Sequence, residues 1–255
     1  MRKRMPRPFV FSLILVLFCL CPFVRSESQP EKDQKKYFSS TSFSALLTSG
    51  NSKDFSFSLD TDQNLSLNKH KINFRGKIIY AQSNGEKKSE IYASALEYNY
   101  QLNPRIYFLT LSSFDRNVLS GYNFRFAFSA GTGLTWLERK KVHISTEAAL
   151  GWSTENNAKG LAQQMSLSAS FVSSTLSTKL IYQISSSAEF ILQETLFLDL
   201  RSFQGYRLNS YSSLSASINR YFALKTSIQV NYENRPVPGF KNTDLFFLSS
   251  IVLKI

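Results

Sequence analysis

Residues 122–136 read YNFRFAFSAGTGLTW, with Tyr122, Phe124, Phe126 and Phe128 at every second position and Asn123, Arg125, Ala127 and Ser129 between them. Alternation of period two marks a strand whose two faces meet different surroundings. The run outlasts the roughly 5–6 residues of a usual strand. In HKINFRGKIIY, Ile72, Phe74, Ile78 and Tyr80 share one face, and Lys71, Asn73, Arg75 and Lys77 the other. In IYASALEYNYQL, Tyr92, Leu96, Tyr98, Tyr100 and Leu102 oppose Glu97, Asn99 and Gln101. In YFALKTSIQVNYE, Phe222, Leu224, Ile228, Val230 and Tyr232 oppose Lys225, Gln229, Asn231 and Glu233.

Reading the whole chain this way predicts twelve strands, at 37–48, 54–67, 70–82, 89–102, 106–115, 122–137, 142–152, 172–184, 188–201, 206–218, 221–234 and 243–255. The connections alternate between short turns (Asn68-Lys69, Asn103-Pro104-Arg105, Arg139-Lys140-Lys141, Ser185-Ser186-Ser187, Asn219-Arg220) and longer segments such as SNGEKKS, STENNAKG and RPVPGFKNT. Short periplasmic turns, longer outer loops and strands of about ten residues are the pattern of a transmembrane β-barrel. An even count places both ends of the barrel on the periplasmic side. No window beyond the first residues offers the ~18 apolar residues of a spanning helix, so a membrane position requires a closed barrel, in which every backbone polar group finds a partner.

Three places strain the scheme. The alternation of LAQQMSLSASF is opposite in phase to that of LSTKLIYQI, which predicts a β-bulge or an extra turn; the first part of residues 162–172 is assigned to a loop extension. Glu194 in FILQETLFLDL shares a phase with Phe190, Leu192, Leu196 and Leu198, so either a bulge intervenes or the phase is misread. Across a two-residue turn at Asn68-Lys69, Asp60 faces Lys77 and Asp62 faces Arg75. Such cross-strand pairs stabilise by about 0.2–1 kcal/mol each, and a slip of one residue would turn all four charges toward lipid.

Composition adds a compartment. The chain opens MRKRMPRPFVFSLILVLFCLCPFVRS, a basic start and a short apolar run of the signal-peptide kind, with Ser26 and Ser28 as cleavage candidates. The domain organisation is therefore read as 1–26 signal peptide, 27–36 flexible periplasmic leader and 37–255 outer-membrane β-barrel. Cys19 and Cys21 both fall in the signal, leaving the mature chain without disulfides or a thiolate metal site. Removing the signal takes the net charge from +12 to +7, with 25 bases against 18 acids. That balance suits acidic lipid headgroups, and secretion argues against nucleic acid.

GNSKDFSFSLD at 50–60, Asp115-Arg116 with Leu119-Ser120-Gly121-Tyr122, SAGTGLTW at 129–136 and RPVPGFKNTD at 235–244 occur together in an order and spacing that resembles the domain of unknown function 481 family, described as salt-induced outer-membrane β-barrel proteins. The likeness runs from about Phe43 to the C-terminus. It implies a Gram-negative outer-membrane barrel and a link to salt or osmotic stress, and it implies no activity. The final IVLKI keeps the alternation but ends on Ile255, where such barrels usually end in an aromatic residue read by the assembly machinery.

No chemistry stands out. His70 and His143 are the only histidines, both beside short turns, and no nucleophile–base set or metal-ligand spacing accompanies them. Gly131 and Gly133 lie mid-strand on the inward face, where glycine relieves crowding in a narrow barrel. The expected lumen charges are Asp60, Asp62, Arg75, Lys77, Glu97, Arg125 and Glu147, with Lys179, Glu189, Asp199, Arg201, Lys225 and Glu233 in the same inward set. Their mixed signs favour salt bridges and a closed interior over a one-sign selectivity ring. Arg125 should have an acidic partner, Glu155 or a glutamate elsewhere. The expected interfacial aromatics are Tyr92, Tyr98, Trp136, Trp152 and Tyr232, with Tyr100, Tyr122 and Tyr182 also outward.

The expectation is an all-β, closed antiparallel barrel of about twelve strands, monomeric, without catalytic residues, cofactor or metal. Its partners would be outer-membrane lipids and the barrel assembly machinery, through its last strand. The alternatives are a narrow channel for ions or small solutes, and a secreted soluble β-sandwich.

Overall fold

The structure, a computed structural model, describes residues 36–47, 54–117, 120–157, 168–201 and 205–255. The signal peptide, the leader as far as residue 35, and the loop residues 48–53, 118–119, 158–167 and 202–204 lie outside the described residues. Twelve strands follow in order: β1 (Lys36–Leu47), β2 (Asp54–Leu67), β3 (His70–Ser83), β4 (Glu86–Gln101), β5 (Ile106–Asn117), β6 (Tyr122–Arg139), β7 (Val142–Asn157), β8 (Ser168–Gln183), β9 (Ala188–Asp199), β10 (Tyr206–Ser217), β11 (Phe222–Glu233) and β12 (Thr243–Lys254). Each pairs antiparallel with its sequence neighbours, and β1 pairs with β12 to close the barrel. Closure rests on a short ladder, Ser40↔Lys254 to Phe43↔Ile251. Reciprocal Ser39–Ile255 backbone hydrogen bonds of 2.9 Å extend it.

The two surfaces are inverted relative to a soluble protein. Phe126, Phe128, Leu150 and Trp152 are 42–62 % exposed, while among the described residues Tyr107, Leu109 and Ala149 form a buried apolar cluster inside the wall of the lumen. Soluble monomers seldom expose large contiguous apolar surface. Strands of 12–18 residues with an apolar outer face exceed the roughly 9–11 residues that a tilted strand needs to span a bilayer. The sandwich alternative is excluded, because the twelve strands close into a single barrel.

Four sequence expectations change. The SNGEKKS segment is not a long loop. Asn84 and Gly85, at φ 50° and 83°, form a two-residue turn, and β4 starts at Glu86. Positive φ at both central residues is what an Asn-Gly hairpin turn supplies. No bulge or extra turn interrupts β8, which pairs without a register shift from Ser168. Its phase looked reversed because Phe171 is an inward aromatic, edge-on to Phe197 and lying under the Arg201 guanidinium at 4.1 Å. Tyr122 is not outward. A register shift between Tyr122 and Phe124 turns it into the lumen, where it is 3 % exposed. Glu194 needs no bulge either: β9 pairs without a shift on both sides, and the carboxylate faces outward, accepting a 2.6 Å hydrogen bond from Ser210 Oγ on β10.

Candidate functional site

The predicted β2–β3 register is observed, with Asp60 opposite Lys77 and Asp62 opposite Arg75. Lys77 Nζ lies 3.4 Å from Asp60 and donates across the lumen to Gln229 Oε1 on β11 at 2.7 Å. Arg75 turns instead to Glu97 on β4, at 3.0 Å. Asp62 accepts from Asn64 and Asn73, at 2.6 and 2.7 Å. Glu147 accepts from the Tyr107 hydroxyl at 2.7 Å. That contact crosses β6 at Gly133, where any Cβ would sit 2.0 Å from the Tyr107 ring. The glycine is there to admit the ring.

These charges line a cavity of about 820 Å³ that reaches from Ser186 and Ser187 at the short-turn end to Asp115. Asp60, Asp62, Arg75, Lys77, Glu97 and Glu147 all border it, as do Lys179, Glu189 and Lys225. Arg125, the seventh predicted lumen charge, does not. It lies further out, and Glu155 is not its ion-pair partner, although β6–β7 pairing sets the two opposite each other. Arg125 takes Asp115 of β5 in a two-pronged contact, Nη2–Oδ2 2.8 Å and Nε–Oδ1 3.0 Å. Its Nη1 lies 3.9 Å from Glu233 on β11. Its guanidinium also sits 4.2 Å from the centre of the Tyr122 ring. Glu155 belongs to Arg207 of β10, which reaches it across the lumen. Arg207 in turn stacks on Phe197 at 3.9 Å. The Tyr122 hydroxyl donates to Glu233, linking β6 to β11.

Asp115, Tyr122, Arg125, Glu155, Arg207 and Glu233 thus form an ionic septum. Beyond it a second cavity of about 470 Å³ is lined by Arg201, Phe171, Arg235 and Pro236, and it shares no lining residue with the first. The β11–β12 connection folds over this outer chamber. Val237 is 8 % exposed and packs against the β5–β6 turn, where a Cβ on Gly121 would come within 2.8 Å of it. Ser120 Oγ donates to Asp244 at 2.6 Å, joining the β5–β6 turn to the start of β12. Asp115, Tyr122 and Arg207 were missed in the sequence. Asp115 follows inward Leu109 and Leu111, so β5 is apolar on both faces and its phase is unreadable.

The expected aromatics Tyr92, Tyr98, Trp136 and Trp152 are 37–53 % exposed on the outer face. Tyr232 is half-buried, its ring 5.9 Å from that of Tyr206. The histidines sit at the short-turn end, His70 Nδ1 2.7 Å from the Tyr98 hydroxyl and His143 bonded to Glu138. Among the described residues no group of three His, Cys, Asp or Glu could hold a metal ion.

The family described as "Protein of unknown function, DUF481" matches residues 41–254. No curated protein matches the chain in sequence. Among solved structures the barrel is similar to the NanC porin, at 11 % identity and TM-score 0.49, covering 85 % of this chain and 96 % of that one. It is also similar to the translocator domain of the autotransporter NalP from Neisseria meningitidis, at 10 % identity and TM-score 0.47, covering 88 % of each chain. The KdgM porin in complex with disordered oligogalacturonate follows at 9 % identity and TM-score 0.41, covering 86 % of this chain and 96 % of that one.

Proposed function

The chain belongs to the DUF481 family of proteins of unknown function, and from that premise and the geometry of its lumen we propose that it is a monomeric, non-enzymatic outer-membrane barrel, an envelope component whose interior is shut at rest. The apolar outer face supports the membrane position. The short turns supports an orientation in which β1 begins and β12 ends on the periplasmic side. The observation that carries the closed state is the septum. Arg125, Asp115, Tyr122 and Glu233 tie β5 and β6 to β11 across the lumen, and Arg207 and Glu155 tie β10 to β7 beside them. Desolvated charges of opposite sign hold such positions only when paired, and a solute would have to break several pairs to pass.

The cavity of about 820 Å³ beneath the septum favours a second reading, a narrow channel for ions or small solutes that opens when the septum parts. Planar bilayers separate the two. The resting barrel should be silent, and Arg125→Ala should give discrete steps. Stable unitary conductance from the unaltered protein, unchanged in Arg125→Ala, would replace the closed barrel with the channel.

A further inference from the structure

The net charge of the barrel is concentrated at one end. Lys69 lies in the β2–β3 turn, Arg105 before β5, Arg139, Lys140 and Lys141 at the β6–β7 turn, and Arg220 in the β10–β11 turn. These six bases occupy four of the five short turns, which contain no acid. Glu138, beside the β6–β7 turn, is bonded to His143, and Glu189 borders the lumen cavity. The other Lys and Arg among the described residues number fifteen, equal to all the Asp and Glu. At the opposite end acids stand among the bases, and Lys88 pairs with Glu86, Lys87 with Glu90 and Arg201 with Asp199. Among the described residues the short-turn end thus carries a cationic ring whose turns hold no acid.

Outward aromatics lie at the level of this ring. Trp136 is 45 % exposed and precedes Arg139 by three residues. Tyr182, 42 % exposed, pairs with Val142 beside Lys141. The Arg220 guanidinium lies 4.4 Å from the centre of the exposed Tyr221 ring. Aromatic rings of this kind sit at the headgroup level of a bilayer. Flexible basic side chains next to them extend their charge to the same depth.

We propose that this ring is a docking surface for the phosphate-bearing headgroups of anionic phospholipids in the leaflet it faces. The ligand is recognised by charge and depth: phosphates at the aromatic level meet a base at four successive points around the rim. A soluble polyanion would need the bases to project clear of the membrane, whereas the Arg220–Tyr221 contact holds one of them against an interfacial ring. The proposal rests on the reading of the barrel as membrane-spanning, and the experiment distinguishes the two.

The two tryptophans of the chain supply the probes. Trp152→Phe leaves Trp136 as sole reporter at the basic end, and Trp136→Phe leaves Trp152, also outward, further along the barrel. Each protein is folded into vesicles of equal parts phosphatidylcholine and phosphatidylglycerol, with bromine on the chains of one lipid or the other. Quenching of Trp136 should be at least about twofold stronger with brominated phosphatidylglycerol, given ~1 kcal/mol of attraction per base near an anionic surface. The preference should vanish in high salt, which screens it, and in Arg139→Gln/Lys140→Gln/Lys141→Gln, whose folding is checked by heat-modifiable migration. Trp152 should quench equally with both lipids. Equal quenching of Trp136 by both lipids, or a preference that survives the triple substitution, would overturn the docking ring. Absence of quenching at both tryptophans would instead overturn the membrane reading.

Discussion

The septum and the cavity beneath it are built from the same residue types and use them differently. In the septum each charge meets an opposite charge, two of the contacts reach across the lumen, and arginines stack on Tyr122 and Phe197. In the cavity Arg75–Glu97 and Lys77–Asp60 join neighbouring strands, while Lys179, Lys225 and Glu189 border open space without an ion pair. Unpaired charges are tolerated where water can reach them and are costly where it cannot. The contrast assigns loosely held charges to the cavity and a cross-linked barrier to the septum. It also indicates where the barrel must move if anything is to pass.

The largest effect should come from breaking the septum. Arg125→Ala leaves Asp115 and Glu233 facing each other without their cation, and unfolding in denaturant, followed by heat-modifiable migration, should show a loss of roughly 3 kcal/mol. A loss no greater than that of a surface substitution would mean that these ion pairs do not hold the septum. Next comes the cavity wall. Gly133→Val drives a side chain into the Tyr107 ring, displaces its bond to Glu147 and should cost about 1–3 kcal/mol in the same titration. Lys225→Met tests the cavity charges directly. Lys225 has no ion pair among the described residues, so the change should stay below about 1 kcal/mol; a large gain in stability would show that Lys225 is desolvated. The smallest effect belongs to the exposed β3–β4 tip, where the Lys88 hydrogen bond holds the Glu86 carboxyl below its ordinary pKa. Lys88→Gln should leave the unfolding midpoint unchanged.

The strands were legible because lipid outside and water inside impose period two on nearly every segment. The β2–β3 register was legible as well, since a two-residue turn fixes which residues face each other. Pairing within the lumen was not. Register set Asp62 opposite Arg75 and Glu155 opposite Arg125, but long side chains choose among several acids on adjacent and facing strands. Arg75 went to Glu97, and Arg125 to Asp115 and Glu233. Inward aromatics misled in the other direction. Tyr122 and Phe171 look lipophilic in the sequence, yet each lies under an arginine inside the barrel. The Asn84-Gly85 turn was hidden by the charged residues after it, which belong to an extended strand end and not to a loop. Glu194 suggests a bulge or a misread phase because a lipid-facing carboxylate is unfavourable; its bond to Ser210 is a local partial remedy that sequence order does not reveal.

Cysteine accessibility on cells tests the central claim, a two-sided barrel whose lumen is divided by the septum. Cys19 and Cys21 are the only native thiols, both ahead of the barrel, so Lys225→Cys and Arg235→Cys each place a single thiol in it, below and above the septum. A membrane-impermeant maleimide added to intact cells should label residue 235 and leave residue 225 unlabelled until the outer membrane is opened. Labelling of both from outside at equal rates would contradict the septum, and labelling of residue 225 alone would reverse the barrel in the membrane.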